Sequence, residues 1–284
     1  MSIAGGLPRA IDRAVATGCE ALQIFTKSSN QWRARPLPDA EVREFRNRAA
    51  TTGIGPIVAH ASYLINLASP STTLWKRSVA ALDEELRRAE VLGLGGVILH
   101  PGAYTTGTER DGLRRIADGL ADVFASRCNE MTLLLLEHTA GQGTVLGHRF
   151  EQLKTIIDHV GGSRRIGVCL DTCHLVGAGY DIISSDGQRR VFDDFGTIIG
   201  FDRLKAIHLN DSKKPLGSRL DRHEHIGKGC IGVEPFRRLL QDDRFADLPM
   251  LLETPKAGDT PTSAVEADPR DLENLALLRT LRDG

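Results

Sequence analysis

The chain has 284 residues, enough for one large α/β domain or two small ones. It is 41% apolar and 26% charged, with no apolar run near the roughly 18–20 residues of a membrane span and no signal-peptide pattern in MSIAGGLPRAIDRA. The net charge of −1 argues against a nucleic-acid partner unless bound cations add to it, and five cysteines without zinc-finger spacing predict reduced thiols in a cytoplasmic protein.

The first element, LPRAIDRAVATG (7–18), reads as a helix. Apolar runs follow in order: ALQIFTK, GPIVAHAS, GVILHPG, TLLLLEHT, IGVCLDTCH, LKAIHLND and PMLLETP. They end near Phe25, His60, His100, Glu137, Asp171, His208 and Glu253. The spacing, about 35 to 45 residues, is that of a βαβ unit. Near-continuous apolar strands imply a parallel sheet covered by helices on both faces. Between the runs, LWKRSVAALDEELRRAEVLG sets Val79, Leu82, Leu86 and Ala89 on one stripe and stops at Gly93. GLRRIADGLADVFAS and HRFEQLKTIIDHVGG behave alike, and DLENLALLRTLRD closes the chain after the polar loop AGDTPTSAVEADP. No break in composition marks a second domain, so residues 1–284 are expected to form one.

Seven strand–helix repeats suggest a (β/α)8 TIM barrel lacking its first strand, because only MSIAGG precedes the first helix. A doubly wound sheet is the rival. The barrel is favoured because every repeat carries its polar residue at the strand end, where barrels place their chemistry.

Those ends bring together His60, His100, Glu137, Asp171, His208 and Glu253. His174 stands three residues beyond Asp171, within one helical turn. Asp221 and His223, in SRLDRHEHIGKG, share one face of an extended segment, as does His225, while Glu224 falls on the other. Each residue alone reads as a cap or hydrogen-bonding group. Together they are nine candidate ligands, five His, two Asp and two Glu, more than a single zinc takes. With shared carboxylates they suit two or three ions of zinc, manganese or iron. Such clusters hydrolyse phosphodiesters. A two-metal sugar isomerase or epimerase is the alternative, and a non-catalytic DNA-binding protein a third possibility.

The blocks HASYLINLASP, LHPGAY, EHTAGQG, GVCLDTCHLVGAGYD, HLNDSKKPLGSRLDRH and LLET resemble, in order, the endonuclease IV family of apurinic/apyrimidinic (AP) endonucleases, from Ile3 to Leu281. The resemblance implies three zinc ions. His60 and His100 would hold the first, with Glu137 bridging to a second completed by Asp171, His208 and Glu253. His174, Asp221 and His223 would hold the third. It implies cleavage of duplex DNA on the 5′ side of an abasic site, trimming of blocked 3′ ends, and in-line attack by a metal-activated water that Glu137 helps to position. The family pattern leaves out His225.

The resemblance also marks DNA-facing residues in a monomeric enzyme with no membrane partner. The loop TKSSNQWRARP carries Asn30, where some family members have arginine, and Trp32, an aromatic suited to stacking at an opened duplex. Tyr63 resembles a second wedge residue. Lys27, Lys213, Arg219 and Arg222 are expected phosphate contacts, and three divalent ions would turn the formal charge positive. An abasic nucleotide has no base to unpair, so flipping it out costs little. Gly141 and Gly143 are expected to let the backbone approach metal or DNA, and Asp211 to support a ligand.

A barrel without one strand exposes two strand edges. An upstream extension that supplies a short apolar strand should therefore raise the melting temperature. Equal melting temperatures for the two chains would contradict this.

Overall fold

The computed structural model describes residues 1–127, 131–258 and 265–284. Cys128 and part of the AGDTPTSAVEADP loop lie outside the described residues.

Seven parallel strands form one sheet: β1 (Leu22–Ile24), β2 (Ile57–His60), β3 (Gly96–Leu99), β4 (Leu133–Glu137), β5 (Ile166–Asp171), β6 (Leu204–His208) and, after a hairpin, β9 (Met250–Leu251). They pair in chain order, with β1 and β9 at the two edges. The hairpin is β7 (Asp211–Ser212) against β8 (His223–Glu224), antiparallel. The helices are α1 (Leu7–Thr17), α2 (Asp39–Thr52), α3 (Thr72–Leu92), α4 (Glu109–Ser126), α5 (Phe150–His159), α6 (Thr172–Ala178), α7 (Ser185–Ile198), α8 (Glu234–Leu240) and α9 (Pro269–Asp283). Among the described residues this is the barrel without its first strand that the sequence predicts. The residues before α1 do not form a strand: the amino group of Met1 donates to Gln23 O at 2.5 Å, and Arg13 Nη1 donates to Ser2 O at 2.9 Å.

The helices end where the sequence provides for it. Gly18, Gly53 and Gly93 close α1, α2 and α3 in the left-handed conformation that glycine adopts without a Cβ clash. Ser71 and Thr108 cap the starts of α3 and α4 by accepting backbone N–H groups. The inner stripes of the helices, including Leu82, Leu86, Ile116, Leu120, Leu153 and Ile156, pack on the outer face of the sheet. Each fully buried aliphatic side chain of this kind contributes about 1.5–3 kcal/mol.

A second, smaller core fills the barrel interior: Val58, Ile98, Leu135, Cys169, Ala206 and Leu251, one from each of six strands. Successive strand residues point to opposite faces, so the residue two further on faces inward again. Counting two from each interior residue gives His60, His100, Glu137, Asp171, His208 and Glu253. The apolar layer is thus the floor on which the polar residues stand.

Leu135 fills much of that floor, and its neighbours make room. A Cβ on Gly96 would lie 3.2 Å from Leu135 Cγ, and one on Gly167 2.8 Å from Leu135 Cδ2 and 2.6 Å from Lys205 Cγ. Gly167→Ala should therefore overpack the barrel and cost about 1–3 kcal/mol. Denaturant unfolding monitored by circular dichroism measures it, and an unchanged midpoint would contradict this packing.

Candidate metal centre

At the barrel mouth the nine candidate side chains come together. Glu137, at the end of β4 and fully buried, is the hub. Its Oε2 lies 3.2 Å from His60 Nε2 and 3.0 Å from His100 Nε2. Its Oε1 lies 3.0 Å from His208 Nδ1 and 3.3 Å from His174 Nδ1. His208 Nδ1 also faces Glu253 Oε2 at 3.3 Å and Asp171 Oδ2 at 3.7 Å.

Asp171 ends β5 and caps α6, accepting His174 N at 3.0 Å. The tight turn from strand to helix is what aims His174 back at the mouth. His174 Nε2 stands 3.2 Å from Asp221 Oδ2, and His223 Nε2 stands 3.1 Å from Asp221 Oδ1 and 3.5 Å from Asp171 Oδ2. Three donor groups result: His60, His100 and Glu137; Glu137, Asp171, His208 and Glu253; and a third around His223, where Asp171 and His174, or Cys173 and Asp221, come within reach.

The ring orientations follow from what lies behind them. A carbonyl oxygen only accepts, so the ring nitrogen facing it must carry the hydrogen. His60 Nδ1 donates to Ala61 O at 2.7 Å, His174 Nδ1 to His138 O at 2.9 Å, and His223 Nδ1 to Glu253 O at 3.1 Å. The opposite nitrogens, carrying lone pairs in the neutral rings, then face carboxylates. Lone pair against anion is repulsive unless a proton or a metal cation sits between them. Protons can serve. Burial disfavours charge on His60, His174 and His208 but is outweighed, and all three pKa values are raised: by the surrounding carboxylates at His60 and His174, and by Cys169, Glu253 and Glu137 at His208. His223 is raised to about 9, with burial opposing and Asp171 and Asp221 prevailing. Burial pushes Glu137 and Asp221 up, but His100 and His208 outweigh it at Glu137, and His174 and His223 at Asp221, driving both down.

Divalent cations fit the same positions. The donors are imidazole and carboxylate, the set that suits zinc. His174 Nε2 and His223 Nε2 are buried and make no hydrogen bond among the described residues. Burial raises the thiols of Cys169 and Cys173 to about 11 and about 12, so both stay protonated.

Tyr63 stands at the rim, 55% exposed, with its ring centroid 5.1 Å from that of His60 and 6.0 Å from that of His100. Together with His174, Asp221, Arg222 and Pro255 it lines a cleft of about 510 Å³ over the cluster. Asn30, Lys213, Arg219 and Arg222 are exposed, and Lys213 lies 3.9 Å from Glu224. Trp32 is half-buried beneath Arg77, whose guanidinium carbon is 4.4 Å from the ring centroid.

Three expectations need correction. Lys27 is no free phosphate contact: it is buried, 3.0 Å from Glu85 Oε1, and donates to Gln31 O. Glu85 also accepts Thr26 Oγ1 and Ser62 N, tying the Asn30–Trp32 loop to the Tyr63 loop. Asp211 supports no ligand directly. It gathers the amides of Ser212, Gly229, Ile231 and Gly232, and so shapes the loop after the hairpin. Gly141 and Gly143 have positive φ, and a Cβ on Gly141 would lie 2.8 Å from His148 Cγ, so that glycine serves a turn packed on a side chain. His225 shares the face of His223 by spacing, but its Nδ1 lies 3.1 Å from Asn274 Nδ2 on α9.

Two residues escape a reading that looks only at strand ends. Asn210 donates to Asp171 Oδ2 at 2.7 Å and accepts Glu253 N at 2.9 Å. Gln23 touches both His208 and Glu253. The signal for each is an amide beside or within an apolar run.

The xylose isomerase-like TIM-barrel family matches residues 11–280. A protein of Chloroflexus aurantiacus named probable endonuclease 4 is 46% identical over 284 residues, covering all of this chain and 97% of that one. The crystal structure of endonuclease IV from Thermus thermophilus superposes with a TM-score of 0.86 at 37% identity, over 100% and 97% of the two chains. A D-tagatose 3-epimerase-like protein, at 18% identity, TM-score 0.70 and coverage of 93% and 88%, shares the fold alone. The chain belongs to the xylose isomerase-like TIM-barrel family and, within it, to the endonuclease IV family.

Proposed function

We propose that this chain is a DNA-repair endonuclease, a phosphodiester hydrolase that cuts duplex DNA on the 5′ side of abasic sites and trims blocked 3′ ends. The observation that carries this reading is the meeting of five imidazoles and four carboxylates at one barrel mouth, with ring nitrogens turned toward the carboxylates. Family membership supports the same conclusion.

Three zinc ions are the proposed cofactor. His60, His100 and Glu137 would hold one; Glu137, Asp171, His208 and Glu253 another; His174, Asp221 and His223 the third. Bound zinc supplies acidified water and charge neutralisation for phosphate and leaving oxygen. The chain supplies the rest. Glu137 offers one oxygen to each of the first two groups, so it would belong to both and would help to place the attacking water. Its burial keeps the reacting region away from bulk solvent. Tyr63, Trp32 and Asn30 would contact the duplex around the lesion, and Lys213, Arg219 and Arg222 its phosphates. The reading takes residues 1–284 as one domain of a monomeric cytoplasmic enzyme.

A duplex with one synthetic abasic site tests it. The zinc-loaded protein should incise 5′ to the lesion. Chelation should abolish the cut, zinc should restore it, and elemental analysis should find about three zinc ions per chain. A folded, zinc-loaded protein that leaves the duplex intact would sink the proposal, and turnover of free ketoses would favour a sugar isomerase. Within the hairpin, His223→Ala should lower kcat/KM by more than the roughly 10–100-fold typical of residues that only support a metal ligand. His225→Ala should mainly cost its hydrogen bond to Asn274, about 1 kcal/mol of stability. Comparable losses of activity would show that the wrong histidine has been assigned.

A further inference from the structure

Gln23 is a polar residue inside an apolar strand, between Leu22 and Ile24. It pairs in register with Val58, whose side chain belongs to the barrel interior. The Gln23 amide therefore also points inward, beneath the mouth. Its Nε2 lies 2.6 Å from Glu253 Oε1 and its Oε1 lies 2.7 Å from His208 Nε2.

The chemistry allows one orientation. A carboxylate accepts and cannot donate, so the amide N–H must face Glu253. The amide oxygen is then left for His208, and it can only accept. Hence His208 carries its hydrogen on Nε2, and Nδ1 is the nitrogen turned toward Glu137, Asp171 and Glu253. His60, His174 and His223 are oriented by main-chain oxygens. His208 is oriented by a side chain.

The contact also crosses the open side of the sheet. β1 and β9 are its two edges, and no backbone pairing joins them among the described residues. Glu253 lies two residues beyond β9, where the strand itself no longer fixes it. Gln23 reaches it from the opposite edge.

We propose that Gln23 is a positioning residue for metal binding, its amide fixing the tautomer of His208 and the aim of Glu253 so that both present donor atoms to one ion. This rests on the metal-dependent hydrolase reading above. A neutral amide suits the task because it offers one donor and one acceptor. A carboxylate there would repel Glu253, and an ammonium would compete with the metal.

Gln23→Met keeps the volume and removes both hydrogen bonds, and Gln23→Asn keeps the amide but shortens its reach. Wild type and both variants are stripped of metal and titrated with zinc against a chromophoric chelator. Melting of the metal-free chains and incision at limiting and excess zinc are followed in parallel. In both variants, affinity for one ion should fall about 10–100-fold, as when a partner of a metal ligand is lost, while the remaining ions bind as before. Incision should fall at limiting zinc and recover with excess zinc, and the metal-free chains should lose no more melting temperature than the removed hydrogen bonds account for. Unchanged zinc affinity in both variants overturns the proposal. So does a lower melting temperature with loss of all ions together, which marks a structural role. A wild type that takes up no zinc overturns the underlying hydrolase reading, visible before any variant is compared.

Discussion

An imidazole has two ring nitrogens, and at this barrel mouth the use of one dictates the other. Main-chain oxygens behind His60, His174 and His223 take the N–H, as the Gln23 amide does for His208. The remaining nitrogens meet over Glu137, Asp171, Asp221 and Glu253. So much negative charge beside lone pairs, much of it buried, is unfavourable without a positive counterpart. Either the rings gather protons, the direction in which the carboxylates raise their pKa values, or cations take the same places.

Holding such a cluster in place requires a rigid support. The barrel interior provides it through Val58, Ile98, Leu135, Cys169, Ala206 and Leu251, each two residues below a polar group. A close-packed floor transmits small errors directly upward, which is why Gly96 and Gly167 must leave space for Leu135. The loops above are secured differently. Glu85 and Lys27 form a buried ion pair that anchors the Asn30–Trp32 loop. Asp211 organises the segment beyond the hairpin through four amides. The fold thus uses apolar packing below the cluster and buried carboxylates around it.

Much of this was legible in the sequence because parallel strands buried on both faces appear as continuous apolar runs, and the first polar residue after each run marks the mouth. His60, His100, Glu137, Asp171, His208 and Glu253 all follow that rule. Spacing could not separate His223 from His225, since two residues apart in an extended segment share a face; the contact with Asn274, 49 residues away, separates them. Lys27 was misread because a lysine near a site suggests solvent, while its partner Glu85 sits on α3, 58 residues on. Gln23 was missed because a lone amide in a strand carries no periodic signal, and its partners are 185 and 230 residues away. What the sequence conceals are pairings across the fold.

The strands also pair strictly in chain order, and that sets the order in which the chain supplies the parts of the cluster. His60, His100 and Glu137 come from three neighbouring strands, β2 to β4, all made within the first half of the chain. The group built on Asp171, His208 and Glu253 needs the last strand as well. A growing chain therefore owns one complete donor group long before the others. The contact between Gln23 and Glu253 joins positions 230 apart, and the strands paired between them already meet most of the entropy of so long a loop.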